Sequence, residues 1–409
     1  MSAVLVLDLS GVMNGIDMST WTNGPLPIAQ PSNRATRLMD QRRVTDETAR
    51  RTLISSHQAD ALYGAGDFRR RHRVTPDADQ LIALELMEEA AAAGAADPLT
   101  FLAIHLWGPN DAPSHDQQLS WWSQLLRDKN RSGGLWGEVG TILGRPIDRG
   151  IRLRHLAFTS ADVLEAQALA YAFVGGVSTQ VDGDVRARAA RHEWTLTKPD
   201  WSVLVLRDGA SFISHQVSDE SFGPSLRTLM HSVHLDALLL ALLQRRLIDR
   251  SGDRATEVDL DHASDLVELE KSHYDFRRKY WRTSITEKRT APVDVVLRAF
   301  QEEMLTTLDV TDVETRVRDG ARLSVSLSAR EQEESARQQK VEQERLTGLV
   351  QTATAVFGAF SLCYTAAPVI TTPSWQHFAV ATAVAVPLAM VIFAVLVLMG
   401  RRQRRRSGE

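Results

Sequence analysis

"LTGLVQTATAVFGAFSLCYTAAPVI" at 346–370 and "HFAVATAVAVPLAMVIFAVLVLMG" at 377–400, followed at once by "RRQRRR" at 401–406, decide how the rest of the chain is read. Neither apolar run holds an acidic or basic side chain other than His377. Each exceeds the roughly 20 residues that cross a bilayer core of about 30 Å. Pro368, Thr371, Thr372, Pro373 and Ser374 break the two runs apart. The expectation is a first transmembrane helix at 346–370, an outer loop at 371–376 and a second transmembrane helix at 377–400. A buried helical hairpin is the alternative, and apolar residues on every side with a polybasic stop speak against it.

Charge then sets the orientation. Arg401, Arg402, Arg404, Arg405 and Arg406 form a basic tail at 401–409, while the loop between the runs has no Lys or Arg. The positive-inside rule puts that tail in the cytoplasm and the loop outside. The large N-terminal part is then cytoplasmic too, as in a multi-pass protein of the inner (plasma) membrane with both termini inside. The opening "MSAVLVLDLSGVM" has no basic n-region and carries Asp8 in its apolar run, so it reads as a strand and not as a secretory signal.

Composition narrows the function. The 409 residues suffice for a hairpin and one or two soluble domains. A net charge of -4 that includes the basic tail makes the body acidic, which speaks against a nucleic-acid partner. The one cysteine, Cys363, lies in the first apolar run, leaving no disulfide and no Cys-based zinc site within the chain.

Along 1–223 strands and helices take turns, the pattern of an α/β domain. Strands are expected at 3–8, 99–107, 151–158, 201–206 and 210–214, the last two joined through Asp208-Gly209 as an antiparallel hairpin. Helices are expected at 53–62, 80–93, around Trp121 and Trp122 up to Gly133-Gly134, and at 161–173. The Gly- and Pro-rich stretch 15–32 around Trp21 reads as an arm without regular structure. Arg69-Arg70-Arg71-His72-Arg73 reads as a basic loop paired with nearby acids, or as a contact for phosphate or anionic lipid.

Residues 224–345 change to long helices. Ser225 is a candidate cap for a helix to about Asp249, a second spans about 257–281, and a third starts near Pro292. Val293, Val296, Phe300, Met304 and Leu308 mark one stripe, the seam of a bundle or coiled coil. "SAREQEESARQQKVEQERL" at 328–346 is polar on nearly every face, as in a solvated stalk with pairs such as Glu333 and Arg337, or in a ring of identical helices around a wet axis. Unbroken from Pro292 to Arg345, this helix would be on the order of 80 Å long.

The stretches "HLDALLLALLQRRL" at 234–247 and "FRRKYW" at 276–281, the long helix leading into a first membrane segment, the short outer loop and the basic tail resemble the CorA-like cation transporter superfamily. The likeness spans 225–406, and over the N-terminal half it rests on layout alone. It implies a homopentamer in the lipid bilayer whose first membrane helices line a path for magnesium (Mg2+) or another divalent cation, as transported or regulatory ion. The family's Gly-Met-Asn triplet is absent: the corresponding stretch reads Tyr364-Thr365-Ala366-Ala367-Pro368-Val369, and the outer loop carries no Asp or Glu. That departure keeps open a membrane effector or scaffold without selective magnesium transport.

Thr347, Gln351, Thr354, Gly358, Ser361 and Thr365 recur in steps of four and three, so one face of the first membrane helix is polar or small. Such a face lines a water-filled pore or lets helices pack closely. No metal ligand set is fixed. His231 and His234 with His215 or Asp236, the cluster Asp259, Asp261, His262 and Asp265, and Asp309, Asp312, Glu314 and Asp319 are the candidates weighed. Gly64-Ala65-Gly66 is no dinucleotide fingerprint, and Walker A, nucleophile-elbow and His-Glu-x-x-His patterns are missing, so no enzyme chemistry is expected.

Overall fold

The computed structural model describes residues 1–10, 16–26, 62, 68–75, 80–89, 98–108, 114–127, 133–148, 150–175, 181, 183–215, 222–257, 263–286, 291–304 and 306–370. The chain divides into two compact units, Met1–Ser324 and Val325–Glu409.

In the first unit, "AVLVL" of β1 (Ser2–Asp8) is apolar at every position because both of its sides are buried. Val4 and Val6 face one core, while Ala3, Leu5 and Leu7 face another. Around it lie β2 (Thr22–Asn23), β3 (Phe68–Val74), β4 (Leu81–Glu89), β5 (Thr100–Trp107), β6 (Leu153–Ser160), β7 (Leu196–Thr197), β8 (Trp201–Leu206) and β9 (Gly209–Ser214). They form one nine-stranded sheet in the order β2-β3-β4-β5-β1-β6-β9-β8-β7. All pairings are antiparallel except β6 with β9.

Helices cover both faces. One core takes Trp122 of α1 (His115–Arg127), Trp136 of α2 (Gly134–Leu143), Phe173 of α3 (Val163–Gly175) and Val185 of α4 (Gly183–Ala189). The other takes Leu226 of α5 (Phe222–Leu229), the buried leucines of α6 (Leu235–Glu257), Phe276 of α7 (Ala263–Lys279) and Phe300 of α8 (Pro292–Glu303). A five-residue π turn, Met230–His234, joins α5 to α6. Each fully buried Leu or Phe contributes about 1.5–3 kcal/mol relative to exposure. Among the described residues, 226–255 is the one helical stretch selected by length and apolar composition as able to cross a membrane, yet 83% of its apolar window is buried inside the protein. It is a core helix.

The last helix, α9 (Thr306–Ile370), runs for 65 residues and passes Gly320 without a break. It is separate from α8: Met304 leaves helical geometry at φ -86° and ψ 2°. Val293, Val296, Phe300 and Met304, four of the five residues of the stripe expected as the seam of a bundle or coiled coil, are buried in one core with the leucines of α6 and with β8.

Several expectations are corrected. Residues 81–89 form a strand and not a helix: "LIALELM" is buried on both sides of the sheet, and apolar spacing at three and four does not separate a helix from a doubly buried strand. The run 69–73 is likewise a strand, β3, and not a loop. The arm contributes β2, with Thr22 opposite His72, and Trp21 is buried. Gly133 and Gly134 open α2, which the sequence reading missed, and Gly144 ends it at a φ of 69° that suits glycine. Ser225 does not cap: the helix starts at Phe222 and takes Pro224 in its first turn, where a missing N–H costs no helical bond. Of the helix expected at 53–62, only Leu62 lies within the described residues.

The β8–β9 turn is Arg207-Asp208, with Gly209 already paired to Leu206. Gly209 is needed for close approach: a Cβ there would sit 2.1 Å from the His155 carbonyl oxygen on β6. Gly209→Ala is expected to lower the melting temperature of the protein, from a loss of about 1–3 kcal/mol or more as the strands are forced apart. An unchanged melting curve would contradict this packing.

Candidate functional site

From Val325 to Gly358 the described side chains of α9 are exposed, apart from half-buried Ala353. The expected pair forms, Arg337 to Glu333 at 2.8 Å, but both ends are solvated and it adds little. Further along, the helix changes character. Thr347, Gln351, Thr354 and Gly358 fall on one face at 100° per residue and are exposed. On other sides Leu346, Leu349, Val350, Val356 and Phe357 are all at least 40% exposed. Thr347 Oγ1 donates to the Gln343 carbonyl (2.8 Å), Thr352 Oγ1 to Gly348 (2.8 Å) and Thr354 Oγ1 to Val350 (2.7 Å). With the hydroxyl protons used inside the helix, the outward aspect of Thr347 and Thr354 is oxygen lone pairs. Ser361 and Thr365 stand on the same helical backbone, their side chains outside the described residues. Arg401, Arg402, Arg404, Arg405 and Arg406, the outer loop and the second apolar run also lie outside them.

The start of α9 is held within the first unit. Thr306 Oγ1 donates to the Gln301 carbonyl at 2.9 Å, and Val310 and Val313 are buried. Arg245 on α6 donates to the Met304 carbonyl at 3.0 Å and to Asp309, thereby bridging the break between α8 and α9. Arg277 pairs with Glu314 at 2.5 Å. Two of the acids considered for a sensor metal are thus engaged by arginines.

A second concentration of chemistry, missed in the sequence, is buried under the π turn. Arg70 on β3 donates to Glu85 on β4 (2.8 Å) and to Asp236 on α6 (2.9 Å), all three side chains at most 1% exposed. Glu85 also accepts the Leu26 N–H and lies 3.5 Å from His105 Nε2. His105 Nδ1 meets His231 Nδ1 at 3.0 Å, with the rings stacked. One signal was available: Phe68, Arg70 and His72 point inward while Arg69 is exposed, a period of two.

The histidines considered for a metal are not brought together. His231 faces His105, His215 Nε2 bonds Ser202 Oγ (2.8 Å), and His234 packs on Phe212 at 4.7 Å. Asp236 is engaged by Arg70. Among the described residues no three His, Cys, Asp or Glu could hold an ion. Asp259, Asp261 and His262, and the side chain of Asp265, lie outside them. No family model, curated protein or solved structure matches the chain.

Two outcomes are expected. Asp236→Asn leaves Arg70 and Glu85 with an altered partner in a dry interface and costs about 3–5 kcal/mol, read as a fall in melting temperature, whereas the paired replacement Arg70→Met/Asp236→Leu costs less. The second is acid sensitivity. Burial lowers His155 to about 4 and His234 to about 3, so both stay neutral in the fold. The unfolded chain takes up their protons below about 6.5. Their contribution is therefore intact above pH 6.5 and falls as pH drops through 4 toward 3, by roughly 3 kcal/mol or more each. His234→Phe should flatten part of that decline in a melting-temperature profile against pH.

Proposed function

We propose that the protein is a membrane-embedded homo-oligomer, a CorA-like pentamer, in which α9 forms the wall of a path for magnesium or another divalent cation and the first unit regulates it from the cytoplasm. The observation that carries this reading is the two-sidedness of α9 between 346 and 358: an acceptor face of Thr347, Gln351 and Thr354, and an exposed apolar side of Leu349, Val350, Val356 and Phe357. The apolar side calls for lipid or neighbouring helices, and the acceptor face offers oxygen dipoles in place of part of an ion's water shell. The polybasic tail after a second uncharged run supports the multi-pass topology.

A second reading is favoured by the outer end. Without Gly-Met-Asn and without any acid in the loop, nothing there concentrates cations, as suits an effector or scaffold that spans the membrane without selective transport. Flux of magnesium, cobalt and nickel into vesicles carrying the full-length protein separates the two; absence of all three discards transport. On the transport reading, Thr354→Leu and Ser361→Leu each abolish flux while the oligomer seen by native mass measurement is retained. Wild-type flux in both variants would show that the polar face only packs.

A further inference from the structure

The buried and half-buried arginines Arg70, Arg154, Arg245 and Arg250 each pair with a carboxylate. Arg227 on α5 does not. Among the described residues it forms no ion pair, and its Nε is buried without a hydrogen-bond partner. Burial lowers its pKa to about 10, and no neighbouring acid acts in the other direction. A guanidinium withdrawn from water without a counter-charge is costly, yet α5 holds this one against the sheet.

The strands beneath Arg227 explain where it sits. Ser2 on β1 stands directly opposite Trp107 on β5 and Phe158 on β6, and by strand alternation the three share the face that carries Val4 and Val6. A small side chain between two large rings leaves room between them. The Arg227 guanidinium carbon lies 4.7 Å from the Trp107 ring centre and 5.2 Å from that of Phe158. Such stacking uses the faces of the guanidinium and leaves its in-plane N–H donors for another partner. Ser2 supplies a second donor on the same face: the residue is 0% exposed and its Oγ is buried without a partner. Arg227 and Trp107 are only half-buried, so the place is not sealed from solvent.

Donors without acceptors call for an anion, and the surroundings set its charge and shape. One guanidinium balances one negative charge. The nearby Met1 amino group is lowered to about 6, first by burial and then by Arg227, and adds no second cation at neutral pH. A phosphate dianion would therefore keep an unmatched charge. The planar fork of the guanidinium takes the two oxygens of a carboxylate side by side. The exposed part of the Trp107 indole offers flat apolar surface to the rest of such a molecule.

We infer that Arg227, Ser2 and Trp107 form a binding site for a monocarboxylate, a small organic acid with one carboxylate and an apolar body. The site stands whether or not α9 conducts, because every residue in it belongs to the first unit. The test follows the melting temperature of the full-length protein as sodium benzoate is raised at constant ionic strength, with sodium chloride and sodium phosphate as comparisons. The expected result is a saturable rise with benzoate, none with chloride and a weaker one with phosphate. Arg227→Lys, which keeps the charge and loses the fork, and Arg227→Met each raise the half-saturating benzoate concentration at least about tenfold. Ser2→Ala removes a hydroxyl that has no partner, so it keeps or raises the melting temperature without benzoate while weakening the response to benzoate severalfold. The inference is overturned by absence of a saturable rise in the wild type, by a wild-type response in Arg227→Met or Ser2→Ala, or by phosphate acting at concentrations as low as benzoate. It is also overturned if benzoate stabilises only Asp219→Asn/Glu220→Gln and not the wild type, which would assign the guanidinium to a carboxylate of the chain itself.

Discussion

Burying the charge of Arg70 constrains the whole sheet-and-helix unit. Taking a guanidinium and two carboxylates out of water costs several kcal/mol per ion unless each finds good partners. Arg70 finds Glu85 on the adjacent strand and Asp236 on α6, so the cost is met only when the β3–β4 pair and α6 are docked together. The same requirement sets register. A slip of β3 by one residue would turn Arg69 and Arg71 inward and Phe68, Arg70 and His72 outward, exchanging a satisfied charge for two unsatisfied ones. The π turn belongs to this arrangement: its wider turn lies just before α6 and carries His231, which meets His105, while Asp236 follows at the start of α6.

From α6 the constraint passes to the rest of the chain. Its leucines fill the core shared with α7 and α8, and its outer arginines reach other elements: Arg246 to Asp8 at the end of β1, Arg250 to Glu89 on β4, and Arg245 to Met304 and Asp309 at the α8–α9 break. A helix with this apolar content would be taken for a membrane span by composition alone. Its burial shows that its apolar surface is already matched inside the protein, whereas Leu349, Val350, Val356 and Phe357 of α9, like Leu164 on α3 and Val267 on α7, are exposed.

How much of this was legible in the sequence follows from which forces act locally. β1, β5, β6, β8, β9, α3 and the long helices were readable because a continuous apolar run or a 3.6-residue period is a local property. Two of the misreadings share one cause. "LIALELMEE" and "FRRRHRV" are strands only because they pair with each other and pack between layers, and no single window of sequence contains the partner. Asp236 looked like a metal candidate and Arg70 like one of a basic loop because the link between them spans 166 residues. The polar face of α9 was visible as a period, and Thr347, Gln351, Thr354 and Gly358 do share one exposed face.

That last point bears on α9 as a physical object. At 332–345 the helix is exposed all round and, apart from Ala336 and Val341, polar, so water can solvate most of its surface there. A few residues later Leu349, Val350, Val356 and Phe357 are equally exposed, and water solvates them badly. One helix therefore passes from a mostly polar surface to a largely apolar one within about three turns. The threonine hydroxyls fit that passage, since their protons are satisfied by the helix's own carbonyls and need no water donor or acceptor to hold them. Among the described residues both the apolar side and the acceptor face are exposed. Lipid would answer the first and not the second; like helices arranged around an axis would answer both, with the apolar sides outward and the oxygen-lined faces inward.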